Sequence, residues 1–208
     1  MSNNIIYMRR DLSDEQAAAL MSEKELAVDT ELSGIDVEKD RLWLVQIKGS
    51  APEVYIVHIR DDMEYPNLKR VLENPKSVKI FHYARMDMLM IYKYFGIWAA
   101  PVFCTKIGVL LARPKGGHTL ANSLREIFKI SMDKKECLSD WSLDLNESQQ
   151  EYAAGDVLHL HDLKRVVEDM LRDKNRLGLA EKCFDFLPTR VLLDLDWGTR
   201  DIFGYNPK

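Results

Sequence analysis

The sequence predicts an α/β or α+β sandwich, a mixed sheet of five strands with helices on its faces. Three observations lead there. β-rich runs at residues 26–31, 42–47 and 54–59 follow one another closely, and two more at 78–81 and 102–104 alternate with helical patterns before helices take over. Hydrophobic residues make up 46% of the 208 residues and charged residues 30%, which suits one packed core and excludes a disordered or fibrous chain.

Each element has a local reason. Ser13 with Gln16 three residues on is a capping box, so a helix opens there, within a peripheral N-terminal segment at residues 1–23. The first three strands are separated by Ser33-Gly34 and by Gly49-Ser50-Ala51-Pro52, and such short links imply an antiparallel meander. Pro66 can open a helix through Leu68, Val71 and Leu72 that stops before Asn74-Pro75. After the fourth strand, Met86, Leu89, Met90 and Tyr94 recur at helical spacing, and Gly96 supplies a left-handed cap. The fifth strand leads into a helix ending before Pro114, and Leu120, Leu124 and Phe128 mark another. Asn146 with Gln149 opens the longest helix, through Tyr152, Asp156, Leu160, Leu163, Val167 and Met170. Residues 24–175 form the main domain. The stretch at 176–208 is too apolar for a free tail and is expected to pack on the core or on a neighbouring subunit.

Several function classes drop out. Lys plus Arg number 29 against 33 Asp plus Glu, a net charge of −4, so the chain does not grip long nucleic acid by bulk charge. No apolar run approaches the roughly 20 residues that span a bilayer. Residues 1–10 lack the apolar core of a secretory signal, so a cytoplasmic location is expected. Cys104, Cys137 and Cys183 are an odd, unpaired set that reads as buried thiols in a reducing compartment. His159 and His161 are two apart on a helix and face different ways, which argues against a zinc pair.

The chemistry lies in carboxylates. Asp29 and Glu31 are two apart on a strand, so they project from one face, and carboxylate oxygens are the preferred ligands of Mg²⁺ and Mn²⁺. Asp87 falls in the first turn of the helix after the fourth strand, beside His82 and Arg85, where the helix dipole favours an anion. Tyr152 and Asp156 are four apart on one helix face, in an apolar setting where a charge needs a partner.

In the order D-x-E, D, then Y-x-x-x-D, these residues make the chain resemble the DEDDy 3′-to-5′ exonucleases, the ribonuclease D group. The matching stretches are Ala27-Val28-Asp29-Thr30-Glu31, Phe81-His82-Tyr83-Ala84-Arg85-Met86-Asp87 and Tyr152-Ala153-Ala154-Gly155-Asp156-Val157, with Ser139-Asp140-Trp141 between the last two. Phe103-Cys104-Thr105-Lys106-Ile107 and Phe186-Leu187-Pro188-Thr189-Arg190 are similar to the compact nanoRNase C branch, which lacks appended RNA-binding domains. The resemblance implies an α/β ribonuclease H-like exonuclease fold, a mixed five-stranded sheet flanked by helices. It implies a homo-oligomer, an octamer built from dimers, that degrades very short RNAs, dinucleotides above all. It also implies two divalent cations, Mg²⁺ or Mn²⁺, as cofactors. In that scheme Asp29 bridges both ions, Glu31 and Asp156 hold the ion that activates water, and Asp87 serves the second ion. Tyr152 orients or deprotonates the nucleophile, and a phenol with a reference pKa of about 10 suits positioning better than base catalysis.

Substrate contacts are expected close by. Thr30 can offer its backbone N–H and hydroxyl to the terminal sugar, Leu32 and Ile35 are apolar at a bend, and Ile35 matches the residue that wedges between two bases in the family. Ordinary core packing is the alternative for Ile35. His82 and Arg85 could contact phosphate. Two rival readings remain: a broader ribonuclease D-like enzyme trimming structured RNA or single-stranded DNA, and a catalytically silent nucleic-acid-binding module.

Overall fold

A computed structural model describes residues 4–34, 36, 38–132, 135–136, 139–198 and 202–204. Among them the sheet has six strands, in the order β1-β4-β3-β2-β5-β6. The strands are β1 (Asn4–Met8), β2 (Glu25–Leu32), β3 (Leu42–Lys48), β4 (Glu53–His58), β5 (Val78–Phe81) and β6 (Val102–Cys104). β2, β3 and β4 form the antiparallel meander that their short links require, while β5 and β6 add in parallel on the β2 side. The expected five strands become six because β1 pairs in parallel with β4 at the far edge. A five-residue run with no adjacent turn to a neighbouring strand carries no local pairing signal.

Side-chain alternation sorts the sheet into two faces. On one face Leu26, Val28, Val45, Val57 and Phe81 join the larger core. That core is covered by α1 (Asp14–Ser22), α2 (Pro66–Glu73), α3 (Ala84–Phe95), α4 (Thr105–Ala112), α5 (Leu120–Phe128), α7 (Leu160–Asp173), α8 (Leu177–Asp185) and α9 (Leu187–Trp197). On the other face Ala27, Leu44, Ile56 and Ile80 meet Ala153, Ala154 and Val157 of α6 (Glu147–Leu158), with Trp141 and Leu145 alongside.

This division explains a second departure from expectation. The long helix breaks at His159 into α6 and α7. The buried residues of α6 belong to the smaller core, whereas Leu163, Val167 and Leu171 of α7 belong to the larger one. One straight helix cannot serve both faces. The local signals otherwise hold: both capping boxes form, Pro66 opens α2, and Gly96 caps α3 at φ 67°. The start of β5 is pinned by Lys79, fully buried, whose Nζ donates to the carbonyls of Asn74, Ser77 and Ala100 at 2.6–2.7 Å.

Candidate active site

The carboxylates converge at the C-terminal end of β2. Asp29 and Glu31 lie on the Ala27 side of the strand, the side that α6 covers with Asp156. One ligand oxygen from each of Asp29, Glu31 and Asp156 lies within 4.8 Å of the others. A register shift between Glu31 and Leu32 ends the regular pairing with β3 just past the pair. A bulge there bends the strand and aims its last side chains.

Asp87 arrives from the opposite face. α3 follows β5, which runs parallel to β2, so its first turn sits at the carboxyl ends of both strands. Thr30 points to that face, and its hydroxyl donates to Asp87 Oδ1 at 2.6 Å. Tyr83 starts α3 in the left-handed region, φ 83°, with no side-chain cap.

Desolvation by the surrounding protein holds the Asp29 carboxyl well above the ordinary range, and the charges of Asp87, Asp156 and Glu31 push it further. Glu31 is raised to about 8, by desolvation first and then by Asp156 and Asp87. Asp87 is raised to about 7 by desolvation, opposed by the Thr30 hydroxyl, and Asp156 to about 7 by desolvation. Four such groups in one place repel each other unless cations join them. The donors are all carboxylate oxygens, the set that suits Mg²⁺ and Mn²⁺, so Asp29, Glu31 and Asp156 could hold a divalent ion.

Tyr152 stands one turn before Asp156 on α6, with its ring centroid 6.0 Å from that of Trp141. With Gly155, Ile130, Met132, Ser148 and His159 it lines a cleft of about 240 Å³. The sequence held no sign of that cleft, because the loop at 130–132 is remote from α6 along the chain.

The expected substrate contacts fare differently. The Thr30 hydroxyl donates to Asp87, and its backbone N–H serves the carboxylates of Asp29 and Asp87. In His82, Nε2 donates to the His118 carbonyl at 3.0 Å and Nδ1 lies 2.9 Å from the Thr105 hydroxyl. Burial lowers its pKa to about 4, so the imidazole is neutral at pH 7. Arg85 is paired with an acid of α9. Its Nε donates to Asp194 Oδ2 at 2.5 Å and a terminal nitrogen to Oδ1 at 2.6 Å, while Arg190 donates to Oδ1 at 2.7 Å. Leu32 is half-buried and packs on the larger core instead of standing free at the bend. Ile35 lies outside the described residues. Asp194, missed from sequence, had one signal: it is the acid inside the apolar run Val191-Leu192-Leu193-Asp194-Leu195.

Fold and site together define a class: α/β proteins with an all-carboxylate centre for divalent cations at the strand ends. A family model described as 3'-5' exonuclease matches residues 5–172, and the chain belongs to that family. It is similar to ribonuclease D of Gluconacetobacter diazotrophicus, 30% identical over 159 residues that cover 76% of this chain and 40% of that protein. The chain spans less than half the length of the ribonuclease D relatives it matches. A structure of Brucella melitensis NrnC bound to pGG superposes with a TM-score of 0.91 at 38% identity, covering 99% of this chain and 100% of that one. The same protein with bound Mg²⁺ gives 0.90 at 37% identity, over 98% and 100%. Escherichia coli RNase D, at 22% identity and a TM-score of 0.79 over 92% of this chain and 51% of that one, shares the fold. No described helix is long and apolar enough to cross a membrane.

Proposed function

We propose that this protein is a metal-dependent 3′-to-5′ exoribonuclease that hydrolyses very short RNAs, dinucleotides preferred, to nucleoside 5′-monophosphates. The observation that carries the reading is the convergence of Asp29, Glu31, Asp87 and Asp156 from both sheet faces onto one strand end. Full-length similarity to a protein captured with pGG supports the substrate size. Asp29 would bridge two ions, Glu31 and Asp156 would hold the one beside the attacking water, and Asp87 would serve the second. Bound Mg²⁺ or Mn²⁺ supplies Lewis acidity and lowers the pKa of water. Tyr152, beside these carboxylates, would position the nucleophile.

The protein would work in the cytoplasm as a homo-oligomer, an octamer built from dimers. Leu192, Leu195 and Trp197 on α9 and Ile202 and Phe203 beyond it are exposed, and they are the apolar surface such an assembly would cover. A length series of 5′-labelled RNAs from two to about twenty nucleotides, with single-stranded DNA in parallel, tests the reading. Turnover should peak at two nucleotides and vanish in EDTA. A flat profile would reject the dinucleotide preference, and cleavage that survives EDTA would reject the metal.

A further inference from the structure

Gln46 stands out among the buried polar groups. It is fully buried in the middle of β3, and neither its Nε2 nor its Oε1 has a hydrogen-bond partner. An amide left unpaired in a core costs stability and calls for a physical reason. The register supplies one. Gln46 lies directly across the antiparallel ladder from Asp29, so the two side chains share a face and are near neighbours. On its other side the ladder partner is Ile56, which has nothing to offer an amide. The flanking Lys48 already donates to the carbonyls of Gly49 and Ala51. Asp29 is the polar residue directly opposite it, while Glu31 and His58, the ladder partners of Leu44, stand diagonally on the same face. Among the described residues, only the Thr30 backbone N–H donates to the Asp29 carboxylate.

We infer that Gln46 is a positioning residue for Asp29 in the metal-loaded protein. With a divalent cation held by Asp29, the Gln46 amide would donate to the carboxylate oxygen turned away from the ion, or to a water held between them. Carboxylates that ligate metals are themselves fixed by such hydrogen bonds. The unpaired amide is a cost carried by the metal-free fold and recovered on loading. The inference rests on the proposed metal site and adds to it a residue outside the three motifs.

The test is Gln46→Leu, with melting temperature measured in EDTA and Mn²⁺ binding measured by calorimetry. Gln46→Met, unbranched and of similar length, repeats both measurements in case Leu packs poorly. Removing the orphaned amide should raise the metal-free melting temperature by about 3 °C. It should also raise the Mn²⁺ dissociation constant about tenfold. Opposite shifts of this kind do not arise from a packing role. Metal-free variants no more stable than the parent, or variants that bind Mn²⁺ as tightly as the parent, would overturn the inference. A parent protein that binds no Mn²⁺ would instead remove the metal site on which it rests.

Discussion

Two groups of buried acid flank the start of α3, and they are neutralised in opposite ways. On one side Asp194 of α9 receives three hydrogen bonds from Arg85 and Arg190, so its charge is matched within the chain. On the other side, among the described residues, no Lys or Arg forms an ion pair with Asp29, Glu31, Asp87 or Asp156, and their pKa values rise together. Arg85 and Asp87 are two residues apart, roughly 200° around the helix, so one turn serves both groups. A structural acid comes with its cation built in. A ligand-binding acid leaves that place open and lowers stability until the ligand arrives.

Mutations should separate the two groups. Asp29→Ala should abolish Mn²⁺ binding and cut turnover at least about a thousandfold while leaving the metal-free protein as stable or more so, because it removes an unmatched charge. Calorimetry and a melting curve in EDTA check this, and a large loss of metal-free stability would erase the contrast. Tyr152→Phe should slow turnover about 10- to 100-fold with Mn²⁺ affinity intact. Equal metal loss in both variants would contradict the assignment of Tyr152 to the nucleophile. Asp194→Asn should do the reverse of Asp29→Ala. It strands Arg85 and should cost about 3 kcal/mol in a denaturant titration, with Mn²⁺ binding retained.

Acidity sharpens the same contrast. Glu31 rises to about 8 and Asp87 and Asp156 to about 7, whereas in an unfolded chain such groups titrate near about 4. Between those values the metal-free folded protein binds more protons than the unfolded chain, so its stability falls as pH rises from about 4 to about 8. Mg²⁺ should therefore raise the melting temperature more at pH 8 than at pH 5, and an equal gain at both would argue against binding at these carboxylates. The smallest effect is local: Asn146→Ala, at the start of the helix carrying Tyr152 and Asp156, should cost about 1 kcal/mol.

What could be read in the sequence follows the range of the interaction that carries it. The capping boxes at Ser13 and Asn146, the turn at Gly96 and the i, i+4 pairing of Tyr152 with Asp156 are set within a few residues, and the structure reproduces each. The D-x-E pair was legible for the same reason. Thr30 reaches Asp87 over 57 positions and Arg85 reaches Asp194 over 109, so no window of sequence could show that these polar side chains were already engaged. The break at His159 also escaped, because the α6 and α7 patterns are each helical and only the sheet decides which face each covers.

The edge strand β1 has a consequence for the order of assembly. Asn4 pairs with Glu53, 49 positions away, while β2, β3 and β4 pair through short links. Distant pairings carry a larger loop-closure cost, so β1 should zip onto β4 only after the meander has formed. Among the described residues no further strand lies beside its outer rim. In native-state hydrogen exchange its amides should open before those of β2, at a free energy below that of global unfolding. The carboxylate centre on β2 would then sit in the part of the sheet that forms first and opens last.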